Sequence, residues 1–322
     1  MTVSPLGPAT LEPVLDVSAF TPGRAFPPVG FVLDDALVDA YLAATGEADP
    51  LYARDGAGLA PPLLATLVRL VKASLGGRWP SGTVQLDHHV AMRRALRRGE
   101  RLTIDAVVAT LERRGERLVY EIASTVRDAD GAAVIEQRSA SLWAGATVKP
   151  AGATDAAGTP APAPPRSPDA PRDGAPAPAP HAVPSIGPLT VAWDLAAVRA
   201  FGAVAGALDP IHVDPDYARG TRFGGNIVQG RLAMTACARL MLERLGRPWL
   251  ERGTLSVRFV RPVRVGEPLH AWAAPDGADR FRVWCEDPRG TRTIDGVATL
   301  AAPTGGPGRD DTPPRGAAQE TT

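Results

Sequence analysis

Two cysteines, Cys237 and Cys285, are all that the 322-residue sequence holds. That is too few for a disulfide framework or a C-x-x-C metal knuckle. Both lie in apolar surroundings, TACARL and RVWCED, and read as buried thiols of a protein kept in a reducing cytoplasm. Net charge is missing as well: 35 basic side chains are matched by 35 acidic ones. The chain therefore has no electrostatic footprint for nucleic acid or an anionic membrane surface. No apolar run reaches the ~18 residues of a membrane span. The opening MTVSPLGPATLEPV has neither the basic start nor the apolar stretch of a secretory signal. G-x-x-x-x-G-K-[ST] and G-x-G-x-x-G are also absent, which removes the usual support for a nucleotide cofactor.

Proline and glycine are plentiful, 33 of each, and unevenly spread. KPAGATDAAGTPAPAPPRSPDAPRDGAPAPAPHAVP has almost no large apolar residue. Such a stretch buries too little surface to offset its ordering entropy, so an extended linker is expected over residues 147–185. The tail from 303 to 322 reads the same way. What remains is an N-terminal extension (1–27), a first unit (28–146) and a second unit (186–302).

The two units share a plan. YLAATGEADPLY from Tyr41 parallels FGAVAGALDPIH from Phe201, matching Gly46 with Gly206 and Asp49-Pro50 with Asp209-Pro210. RRALRRGERL from Arg93 parallels VRPVRVGEPL from Val260. Their common order points to an internal duplication. In WDLAAVRAFGAVAG, Asp194 is a natural N-cap and Gly206 a natural C-terminal stop, and DDALVDAYLAATG repeats the pattern. NIVQGRLAMTACARLMLERLG is apolar on most sides from Ile227 to Leu242, so this helix must be enclosed. PPLLATLVRLVKASLG is its counterpart, with Pro61 and Pro62 suited to a helix start. Strand-like segments follow each: TVQLDHHVAM, RLTIDAVVATLE, RLVYEIASTVRD and AVIEQRSASLWAG, then TLSVRFVRPVRV, PLHAWAA, RFRVWCED and GVATLAA. A buried helix wrapped by an antiparallel sheet is a hot-dog unit. The predicted fold class is α+β, a double hot-dog whose two sheets join side by side and so cover an edge.

Residues 205–233, AGALDPIHVDPDYARGTRFGGNIVQGRLA, carry a resemblance. They resemble the MaoC-like, or hydratase 2, family of hot-dog proteins, whose pattern runs approximately G-D-x-N-P-[LI]-H-x-D-P, then A-x-x-x-x-F-x-x-x-I-V-H-G. The resemblance implies R-specific hydration of an enoyl thioester, or dehydration of a 3-hydroxyacyl thioester, carried on coenzyme A or acyl carrier protein. By position it makes His212 the acid/base. Gly230 is then the glycine whose N–H meets the thioester oxygen, and a helix start favours negative charge there. Phe223, Gly225, Ile227 and Gln229 would line the substrate. Of Arg219, Arg222 and Arg231, Arg222 is the candidate for the phosphates of coenzyme A or phosphopantetheine. No separate cofactor is implied; a dimer or a hetero-partner hot-dog subunit is.

The departures from the pattern matter. Ala207 stands five residues before His212, where the family has its catalytic Asp. Asp209 replaces the family's Asn, and Gln229 the histidine of VHG. Either Asp209 or a water then substitutes for the missing carboxylate. The plainer role of Asp209 is to satisfy backbone N–H groups beside Pro210. The first unit keeps an acid, Glu47, but has Tyr52 for the histidine. Pro50 to Pro62 is 12 residues and Pro210 to Gly230 is 20, so the first unit lacks eight residues of the covering loop. Asp214 reads as a local structural acid. A metal reading of HVDPD lacks ligands, and in DHH at Asp87–His89 adjacent side chains of a strand face opposite ways. Two function classes stay open: the hydratase or dehydratase, and a non-catalytic thioester-binding protein or silent subunit of a hydratase pair. A thioesterase is a third.

Overall fold

The computed structural model describes residues 14–77, 79–80, 82–115, 117–143 and 185–302. The expected linker, apart from Ser185, and the expected tail lie outside these residues. Strand formation follows the Val, Ile, Thr and aromatic content noted above. The first unit consists of β1 (Ala25–Val32), α1 (Asp35–Thr45), β2 (Leu59–Ala60), α2 (Val68–Leu75), β3 (Thr83–Met92), β4 (Leu96–Arg97), β5 (Arg101–Arg114), β6 (Arg117–Arg127) and β7 (Ala133–Trp143). The second runs β8 (Ile186–Val191), α3 (Leu195–Ala205), α4 (Pro210–Val213), α5 (Pro215–Arg219), α6 (Gly230–Ala233), α7 (Thr235–Leu245), α8 (Arg247–Arg252), β9 (Gly253–Phe259), β10 (Leu269–Pro275), β11 (Arg280–Glu286) and β12 (Arg292–Leu300).

Ten of these strands form one antiparallel sheet in the order β1-β5-β6-β7-β3-β9-β12-β11-β10-β8, while β2 and β4 pair separately. The units join where β3 meets β9, from Asp87 opposite Arg258 to Ala91 opposite Thr254. Across the join Arg258 Nε reaches Asp87 at 3.2 Å, and His89 Nδ1 lies 2.7 Å from Ser256 Oγ. Strict alternation in β6 buries Leu118, Tyr120, Ile122, Ser124 and Val126 against the helices. Among the described residues no helix is long and apolar enough to cross a membrane.

The two outer strands, β1 and β8, escape the sequence pattern because Pro27, Pro28 and Pro188 interrupt them. An edge strand tolerates proline, since its missing N–H faces away from the ladder. β1 starts at Ala25, before the expected boundary at residue 28, and Val17 and Phe20 are already buried in the core.

Helix ends follow the sequence signals. Asp34 accepts from Leu37 N and Asp194 from Ala197 N, each at 2.8 Å. Gly46 and Gly206 close α1 and α3 at φ 73° and 69°, where a side chain would be strained. α1 and α3 pack on each other through Tyr41 and Phe201, whose ring centres are 6.2 Å apart. The enclosed helix begins at Gly230 rather than Ile227. Residues 226–228 are extended and are bonded to Val263 and Val265. Its counterpart is shorter than expected: Pro62–Thr66 form a 3₁₀ turn, and Leu67 is extended before α2 begins. That break frees the Thr66 carbonyl from the helical ladder. Cys237 and Cys285 are buried and free, with their sulfurs 3.4 Å apart.

Candidate active site

After α3, the left-handed Gly206 turns the chain into the Asp209-Pro210 corner, and His212 N bonds back to Asp209 O at 2.9 Å. Its ring is held from the other side: His212 Nδ1 lies 2.8 Å from the carbonyl oxygen of Ile227. A carbonyl only accepts, so Nδ1 carries the proton and Nε2 keeps its lone pair. Burial lowers the His212 pKa from 6.5, against the opposing pull of the Ile227 carbonyl and the Asp209 charge. The result is an oriented, neutral imidazole.

The segment that orients it is itself well tied. Asn226 Nδ2 donates to Ile211 O at 3.2 Å, and Val228 N donates to Val263 O at 2.9 Å. Arg264 donates to the Phe223 carbonyl and borders Gly225. No local motif marks Arg264, so sequence reasoning passed over it. The segment ends at Gly230, whose N–H, as the first of a helix, has no partner within it. A Cβ there would stand 3.2 Å from Phe259 Cε1 and 3.3 Å from Gln85 Oε1, so both pack close against the glycine and a side chain would have to push them aside.

The structure rearranges several expectations. The Asp209 carboxylate makes no capping bond to the turn, whereas Asp49, its counterpart, accepts from Leu51 N at 2.8 Å. The backbone role expected of Asp209 therefore does not hold; its charge acts on His212 instead. Gln229 is buried, and its amide donates to Val198 O at 2.9 Å and Ala207 O at 3.2 Å. That amide nitrogen pins the turn instead of facing a substrate. Ile227 contributes its carbonyl to His212. Phe223 is half-buried, with the exposed Arg222 over its ring at 4.8 Å. Arg219 pairs with Asp216, and the part-buried Arg231 donates to the Thr66 carbonyl and to Gln137 Oε1 of the first unit. Asp214 caps α5 by accepting from Asp216 N at 2.9 Å and Tyr217 N at 3.1 Å, the local role expected of it. His88 is buried and His89 faces the other side of the sheet. Among the described residues no group of three His, Cys, Asp or Glu side chains is placed to hold a metal ion.

Glu47 belongs to a separate group. It meets Tyr41, Thr45 and, from the second unit, Arg239; burial raises its pKa from 4.5 to about 7 despite the arginine. His212 meets Asp209 and Ile227 instead.

A continuous sheet with two wrapped helices and a single histidine-bearing turn defines a double hot-dog protein. Residues 179–295 match the family model of the MaoC-like domain, and the second unit is a MaoC-like domain. No curated protein sequence matches the chain. Among solved structures, HtdX of Mycobacterium tuberculosis is similar at a TM-score of 0.61 and 17% identity, over 86% of this chain and 100% of its own. A MaoC-like dehydratase from Phytophthora capsici is similar at 0.63 and 18%, over 89% and 99%. A further Mycobacterium tuberculosis protein, described as having a double hotdog fold, is similar at 0.54 and 17%, over 88% and 97%. At these identities the likeness establishes the fold.

Proposed function

We propose that the second unit adds water across the C2–C3 double bond of an enoyl thioester, or runs the reverse dehydration, with an R-3-hydroxyacyl product. The acyl group is carried on coenzyme A or the phosphopantetheine of a carrier protein, so the reading needs no further cofactor. One observation carries it: a neutral, oriented His212, held by the segment that ends at Gly230. Water attacks C3 and gives its proton to His212 Nε2, and the imidazolium returns a proton to C2. The Gly230 N–H takes the negative charge that develops on the thioester oxygen. Asp209 steadies the imidazolium in place of the absent carboxylate at position 207. In this reading Arg222 meets the phosphates of the carrier and Phe223 lines the substrate.

A second reading, a non-catalytic thioester-binding protein or silent subunit of a hydratase pair, is favoured by Ala207, which moves no proton. Hydration of crotonyl-CoA and a longer enoyl-CoA, followed by absorbance, decides between them. Turnover lost in His212→Ala supports the hydratase. Acyl-CoA binding without turnover supports the second reading, and neither binding nor turnover removes both.

A further inference from the structure

Arg231 follows Gly230 directly and reaches into the first unit. It donates to the Thr66 carbonyl, the one freed by the break before α2, and through Nη1 to Gln137 Oε1 at 3.3 Å. Enclosure pulls its pKa down to about 10, with no carboxylate acting on it. A cation in the first turn of a helix also opposes the helix dipole. A charge withdrawn from water with no carboxylate beside it is costly.

Its neighbours are short of acceptors in the same way. Gln137 gives its oxygen to Arg231, which leaves Gln137 Nε2 buried with no partner. His88 Nδ1 lies 3.2 Å from Gln85 Nε2, an amide nitrogen that can only donate. The His88 proton therefore sits on Nε2, which is also buried and without a partner. His88 stands opposite Ser139, and Gln137, opposite Val90, is two pairs further along, on the helix-facing side of β3 and β7. Gln85 Nε2 also donates to Ser139 Oγ at 2.9 Å, and its Oε1 borders Gly230. Gln137 Nε2 and His88 Nε2 are thus buried donors without a partner, beside an Arg231 guanidinium whose own partners are a carbonyl and an amide oxygen rather than a carboxylate. Orphaned buried donors are rare because each forfeits a hydrogen bond it had in water.

We propose that this group of donors takes the carboxylate of a short acyl group, so that the substrate is the thioester of a dicarboxylic acid. The inference rests on the reading that Gly230 receives the thioester oxygen. The donors begin one residue beyond that glycine.

Calorimetry with glutaryl-CoA and butyryl-CoA tests it, because the two ligands share everything except the distal carboxylate and neither reacts. The wild-type protein binds glutaryl-CoA at least about 30-fold more tightly, as hydrogen bonds to a charged group require. Arg231→Met brings the two within about threefold while the circular dichroism spectrum stays native. Gln137→Leu weakens glutaryl-CoA alone, and serves if Arg231→Met does not fold. Equal affinities in the wild type, or a preference that survives Arg231→Met, overturn the proposal. If neither thioester binds but glutarate raises the wild-type melting temperature and not that of Arg231→Met, the carboxylate site stands and the thioester reading falls. If glutarate has no effect either, both fall.

Discussion

In the first unit, the aspartate of the Asp-Pro corner is used up by the turn: Asp49 accepts from Leu51 N, and Tyr52 is buried behind it. In the second, Asp209 makes no such bond, and three residues later His212 is held at its Nδ1 by Ile227. The corners have the same backbone plan and different surroundings. What separates them is the stretch that the first unit lacks. Ile227, which fixes the imidazole, lies within the longer connection between Pro210 and Gly230. A histidine alone would not make the first corner a site, because its orienting carbonyl went with the missing residues.

The largest expected contrast is between the two aromatic positions. His212→Ala lowers enoyl-thioester turnover by about 10²-fold or more, the usual worth of a positioned acid/base. Tyr52→Phe leaves it within about threefold in the same absorbance assay. Equal losses would erase the distinction between the corners. In the active protein, turnover falls as pH drops into and below the ordinary histidine range, because the lowered pKa keeps His212 neutral above it.

The aspartates sharpen the comparison further. Asp209→Asn reduces kcat about tenfold and leaves the melting temperature unchanged. Asp49→Ala does the reverse: it costs about 1 kcal/mol of stability, as lost caps do, with turnover intact. A stability loss at Asp209 like that at Asp49 would return Asp209 to a purely local role.

A smaller effect belongs to Glu47. Its folded pKa, about 7, is raised above the ordinary 4.5. Its contribution to stability is therefore full below about pH 4.5 and is lost as pH rises through about 7. Denaturation midpoints measured from pH 4 to 8 fall less steeply in Glu47→Gln than in the wild type. Parallel curves would mean that Glu47 titrates normally.

Much of this was legible beforehand. Asp34, Asp194, Gly46 and Gly206 announce the ends of α1 and α3, and apolar alternation announces β6. The MaoC-like motif singles out His212 and Gly230 by spacing. Other features were not readable. Prolines hid β1 and β8, because a sequence does not say which strand is an edge. The motif makes Gln229 a substrate contact, whereas its amide is bonded to Val198 and Ala207. Arg231 looked like one of three surface arginines.

The sequence by itself determined the duplication, the order of elements within each unit and the histidine on its turn. All of these rest on local preferences: caps, turns, periodicity and motif spacing. Only the tertiary structure decided which carbonyl orients His212, which aspartate is free, and that Arg231 meets Gln137 and the orphaned donors of β3 and β7. These depend on contacts between residues far apart in the chain. Desolvation and hydrogen-bond pairing set their chemistry, and both are fixed only when the sheet closes over its helices.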